Sequence, residues 1–92
     1  MDTDLDLRRR RAAWRASHRG TKEMDWLLGR FAAARLDGMD ATALGELEAL
    51  LTAPDPELQR WIMDGATVPE DRYAALILEL RAFHELTAQV SE

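Results

Sequence analysis

The stretch Thr21-Lys22-Glu23-Met24-Asp25-Trp26-Leu27-Leu28-Gly29-Arg30-Phe31-Ala32-Ala33-Ala34-Arg35-Leu36 decides how this chain of 92 residues is read. Its apolar positions recur at three and four, so Met24, Leu27, Leu28 and Phe31 share one face of a helix, with Arg35 snorkelling at its rim. Elsewhere the period is the same, and no segment alternates strictly as a half-buried strand would. The fold class is therefore all-α, and a small five-helix bundle in a single domain is expected. A first helix should run from about Asp4 to Ser17, with acids in its first turn and arginine near its end, as the helix dipole favours. Gly20 punctuates it, and the second helix spans about Thr21 to Leu36. Beyond Gly38, Asp40 is placed to cap a third helix reaching about Leu51, with Leu44, Leu47, Leu50 and Leu51 inward. In Ala53-Pro54-Asp55-Pro56-Glu57, Asp55 suits an N-cap and Pro56 the first position of a short fourth helix carrying Leu58, Trp61 and Ile62. Gly65 stops it. Thr67 and Glu70 have capping-box spacing for a fifth helix, from there to about Gln89, with Tyr73, Leu76, Ile77, Leu80, Phe83 and Leu86 or Thr87 on its inner face.

A chain of this size buries roughly 60 to 65% of its unfolded surface, enough for one modest core and too little for a deep catalytic cavity. It has no cysteine, which excludes disulfides, thiolate metal sites and thiol catalysis and fits a reducing compartment. Without a bilayer-length apolar run or a signal-peptide hydrophobic region, a soluble, cytoplasmic, monomeric protein is expected, with no membrane partner. The net charge of -5 conceals an asymmetry. Residues 1–35 hold nine basic and five acidic side chains, whereas the remainder holds three basic and twelve acidic ones. Such a dipole can orient an encounter with a charged partner over the screening length of about 8 to 10 Å.

No set of residues suggests catalysis. His18 and His84 are the only histidines, and neither has a second ligand at helical spacing for a metal. The five glycines are scattered and build no phosphate loop. Ser17 and His18 are adjacent in sequence, and adjacent helical side chains diverge, so no nucleophile and base pair is expected. Arg8 to Arg11, with Trp14 and Arg15, has the composition of a nucleic-acid footprint. Against that, Asp2, Asp4 and Asp6 add repulsion beside it, and four consecutive arginines on a helix cannot form one stripe. A solvated, dipole-matched helix, or one that meets an acidic protein partner, is expected instead, with no nucleic-acid partner. A mitochondrial presequence would be poorer in acids.

The sharpest signal is Arg19-Gly20-x-x-Glu23. At ~100° per residue, Arg19, Glu23, Trp26 and Arg30 follow at i, i+4, i+7 and i+11, opposite the core stripe. One reading is an intrahelical salt-bridge ladder with Trp26 tucked against a neighbouring helix. The other is an interface, anchored by an exposed tryptophan beside arginine, with Gly20 clearing space for another molecule's backbone. With Ser17-His18 before it and Leu27-Leu28-Gly29-Arg30-Phe31 after it, the motif resembles the signature of the SdhE family. These are small bacterial and mitochondrial factors that assist covalent attachment of FAD to the succinate dehydrogenase flavoprotein. A second match, Asp55-Pro56-x-Leu58-x-x-Trp61-Ile62-Met63, is similar to the family's acidic-proline turn and tryptophan helix. The resemblance covers about Arg8 to Leu80.

That resemblance implies a five-helix bundle that is not an enzyme and has no cofactor of its own, FAD belonging to the partner flavoprotein. It implies that Arg19, Gly20 and Glu23 contact that flavoprotein, with Trp26, His18, Arg15 and Arg11 as neighbours in the partner-binding surface. Trp26 stands where family members more often carry a smaller aliphatic residue. Whether the fumarate reductase flavoprotein is a second client is left open by the sequence. A helical nucleic-acid-binding module and a generic protein-interaction adaptor are the alternative classes.

Overall fold

A computed structural model describes residues 3–69 and 71–84 of the chain. Within them, five α-helices follow one another with no strand: α1 (Thr3–Ser17), α2 (Lys22–Arg35), α3 (Ala41–Leu50), α4 (Asp55–Ile62) and α5 (Asp71–Phe83). A 3-10 turn, Leu36–Gly38, links α2 to α3. α2 lies along α1, α3 packs on α1 and α5, and α5 also touches α2 and α4. The core is continuous through all five helices, from Ala12 and Ala16 of α1 to Tyr73, Leu76, Ile77 and Leu80 of α5.

The apolar stripes read from the sequence are the buried faces. Met24, Leu27, Leu28 and Phe31 of α2 are at most 2% exposed, and Leu44, Leu47, Leu50 and Leu51 are buried around α3. Arg35 stays in solvent and lays its guanidinium 5.1 Å from the Phe83 ring, the snorkelling expected of it. Asp40 caps α3, accepting from the Ala43 amide at 2.8 Å. Two boundaries differ from expectation. Pro54, not Asp55, is the N-cap of α4, because the Asp55 carboxylate is engaged elsewhere and its helix begins one residue early. Val68 and Pro69 are not helical, so α5 begins later than a Thr67 cap requires. Glu70 and the stretch to Gln89, with Leu86 and Thr87, lie outside the described residues.

Gly65 terminates the α4 segment with φ +71° and Ala66 donating back to the Arg60 carbonyl at 3.0 Å, a left-handed helix end that glycine accepts without strain. Arg81 of α5 donates to the Ile62 carbonyl at that end, where the helix dipole favours a cation. Gly29 serves packing. A Cβ there would meet Ser17 Cβ at 3.1 Å and Ser17 Cα at 3.3 Å, so its absence lets α1 and α2 approach closely. Gly29→Val should therefore cost about 1 to 3 kcal/mol by overpacking this crossing, read as a lower urea midpoint with an unchanged slope.

Candidate functional site

Between α1 and α2 the chain passes through His18, Arg19, Gly20 and Thr21 without helical bonding. Thr21, extended at φ -135° and ψ 157°, caps α2 by accepting from the Met24 amide at 3.2 Å. Arg19 does not lie over α2. Its guanidinium turns inward: Nε donates to Asp55 Oδ1 at 2.8 Å, Nη1 to the Leu51 carbonyl at 2.9 Å and Nη2 to the Ala53 carbonyl at 3.2 Å. The Arg19 side chain is 11% exposed and that of Asp55 21%, making theirs the least exposed ion pair among the described residues. Leu51 is the C-cap of α3. The arginine therefore supplies donors to the end of one helix while pairing with an acid in the first turn of the next, each favoured by the local dipole. The second oxygen of Asp55 accepts from the Gly20 amide at 2.7 Å, and the Asp25 carboxylate accepts from the Arg19 amide.

This geometry corrects the expected exposed face. Arg19 precedes α2 and its charge is committed to Asp55, so no Arg19–Glu23 ladder forms. The space at Gly20 belongs to this chain: a Cβ would lie 3.1 Å from Asp55 Oδ2. Glu23 is exposed and has no ion-pair partner among the described residues. Trp26 is 51% exposed, with the Arg30 guanidinium 5.5 Å from its ring centroid and the His84 ring 4.8 Å away. His84 reaches back to the Leu27 carbonyl at 2.8 Å, fixing the α5 end against α2. Glu23, Trp26 and Arg30 thus remain together on the outer face of α2.

The end of α1 carries a second exposed group. Trp14, 62% exposed, stacks on His18 with centroids 4.2 Å apart and planes at 10°. Ser17 Oγ lies 3.2 Å from His18 Nδ1, so these side chains meet instead of diverging, because His18 is already past the helix. They still form no nucleophile and base. The same Nδ1 is 2.8 Å from the Trp14 carbonyl, which can only accept, so it carries the hydrogen, and Ser17 Oγ donates to the Ala13 carbonyl at 2.8 Å.

The four consecutive arginines separate as helical geometry requires. Arg8 donates to both carboxylate oxygens of Glu48 on α3, at 2.8 and 3.2 Å, and Arg9 to the Leu36 and Met39 carbonyls. Arg10, Arg11 and Arg15 are exposed. The Arg8 hydrogen bond holds the Glu48 carboxyl below its ordinary 4.5, helped by the fields of Arg8, Arg15 and Arg11 and opposed by burial. A depressed folded pKa stabilises the fold above the unfolded value, and that contribution is lost as pH falls through the folded one. Glu48→Gln should therefore lower stability at neutral pH and flatten its decline on acidification, measured as urea midpoints between about pH 3 and 7.

The structure thus joins Arg19 and Gly20 to Asp55, groups Trp26 with Arg30 and His84 beside α5, and leaves Arg11 and Arg15 on the flank of α1 that faces Glu48. Asp55, Asp25 and Trp14 were not read as part of the site from sequence. Asp55 was visible as the head of the second motif and Trp14 as the aromatic of the basic helix; Asp25 lay within the first motif's stretch with no role marked for it. The two motifs, 36 residues apart, meet through one carboxylate.

Residues 10–84 match the model of the Sdh5 family, described as flavinator of succinate dehydrogenase. The chain belongs to that family. Its relatives include the FAD assembly factor SdhE of Acetobacter pasteurianus, 41% identical over 76 residues that cover 83% of this chain and 70% of that protein. The FAD assembly factor SdhE of Xylella fastidiosa is 33% identical over 82 residues, covering 89% and 81%. The mitochondrial succinate dehydrogenase assembly factor 2 of Dictyostelium discoideum is 30% identical over 82 residues, of which this chain spans 57% of the length. Members of the family are assembly factors and not enzymes. No helix among the described residues is long and apolar enough to cross a membrane.

Proposed function

We propose that this chain binds the flavoprotein subunit of succinate dehydrogenase as a monomer in the cytoplasm and promotes covalent attachment of FAD to it. Family membership supplies the client. The observation that carries the contact is Glu23, an exposed carboxylate without an ion-pair partner among the described residues, set beside the half-exposed Trp26 and flanked by Gly20. An unpaired acid next to an aromatic anchor has its hydrogen-bonding capacity and its apolar area both available to another protein. His18, Arg15 and Arg11 extend the surface along α1, and Arg19 supports it from within. The factor acts by favouring the flavoprotein conformation in which the attacking histidine and the ring are close and the developing negative charge is stabilised. FAD remains the client's cofactor throughout.

The test is affinity capture from the source cell, with mass spectrometry of the captured proteins and in-gel flavin fluorescence of the flavoprotein in cells with and without the factor. Co-purification with the flavoprotein, and loss of its covalent fluorescence without the factor, are expected. Normal fluorescence in cells lacking the factor would overturn the reading.

A further inference from the structure

We propose that Asp55 is a positioning residue for the Arg19-Gly20-x-x-Glu23 motif: its carboxylate fixes the loop that sets where Glu23 meets the client. The inference rests on the functional reading above, and it separates the motif into an inward half and an outward half. Arg19 is 11% exposed and spends its donors on Asp55, Leu51 and Ala53, all within this chain. Both Asp55 oxygens are used, one by the guanidinium and the other by the Gly20 amide. Three residues after Gly20, Glu23 stands in the first turn of α2, exposed and without an ion-pair partner among the described residues.

The geometry makes this connection direct. Asp55 binds the backbone of Gly20, the residue immediately before the Thr21 cap from which α2 starts. The loop that opens α2 is therefore held to the first turn of α4, and the latch registers Glu23 against that helix. A residue larger than glycine at position 20 would press on the same oxygen, at 3.1 Å from its Cβ. The requirement for glycine and the requirement for an acid at position 55 then have one physical cause. Neither needs the partner to touch Arg19.

Asp55→Ala removes the latch, and Asp55→Asn keeps one of its two acceptor oxygens while removing the charge. Both are compared with Asp40→Ala, which removes the cap of α3 away from the loop. Helicity is checked by circular dichroism, exchange at the Gly20 amide by NMR, and affinity with purified FAD-loaded flavoprotein. Asp55→Ala should speed exchange at Gly20 and weaken binding by about 10-fold or more, with Asp55→Asn intermediate and Asp40→Ala unchanged in both. In a Glu23→Ala background, the same Asp55→Ala change should alter affinity by less than about 2-fold, because its effect runs through Glu23. An equal loss in both backgrounds would overturn the proposal, as would a loosened loop with wild-type affinity. Failure of the unaltered chain to bind the flavoprotein would instead refute the functional reading. Exchange at Gly20 would then decide the latch alone, unchanged exchange in Asp55→Ala refuting it.

Discussion

Glu23→Ala is expected to abolish assistance to flavinylation while leaving the melting curve of the factor nearly unchanged. The carboxylate is exposed and makes no ion pair among the described residues, so the fold should lose less than about 1 kcal/mol, the share of a first-turn acid in the helix dipole. At a desolvated interface the same carboxylate, paired with a client cation or donor, would be missed at a cost of about 2 to 5 kcal/mol of binding. Stability and function should separate. The measurement is covalent flavin on the flavoprotein, read by in-gel fluorescence in cells lacking the wild-type factor, beside circular dichroism of the purified variant. Normal flavinylation would remove Glu23 from the contact, and unfolding would assign it to the fold. Gly20→Arg should also lose activity, through a long side chain at the loop and displacement of Asp55, with some loss of stability. Glu23→Ala is accordingly the cleaner variant of the two.

Leu80→Ala should show the largest stability effect, a loss of about 2 to 5 kcal/mol. Leu80 is fully buried on α5, the helix that packs against α2, α3 and α4. Truncation there removes apolar contact and leaves a cavity between elements that cannot all collapse at once. For a chain of this length the melting temperature should fall by about 10 °C or more. Leu28→Ala on α2 should behave similarly, since Leu28 is 1% exposed. Unchanged melting in either variant would contradict the register of the apolar stripes. Because neither residue reaches the surface, any loss of flavinylation should follow the loss of folded protein.

The apolar architecture was legible in the sequence for a simple reason. Burial of a helix face repeats every 3.6 residues, so the positions of Met24, Leu27, Leu28 and Phe31 carry the same information in the chain as in the bundle. Caps are equally local: Asp40 lies three residues from the amide it binds. Gly65 was readable as a stop because a left-handed end favours glycine. Local order also misled. Asp55 has the residue type and position of an N-cap, and Arg19 the spacing of a ladder partner to Glu23, yet each is claimed by the other across 36 residues.

By itself the sequence determined that the chain is helical, which faces are apolar, that two short motifs exist and which family they resemble. It also placed Glu23 and Trp26 on the outer face of α2, where they are exposed. Only the tertiary structure decided that the two motifs are one assembly, that Arg19 faces inward and that Gly20 leaves room for Asp55. The physical reason is that hydrophobic burial is written periodically along each helix, whereas a charged hydrogen bond between distant turns depends on how the helices pack. A guanidinium has no preferred partner until folding brings a carboxylate and the carbonyls of Leu51 and Ala53 within 3.2 Å of it.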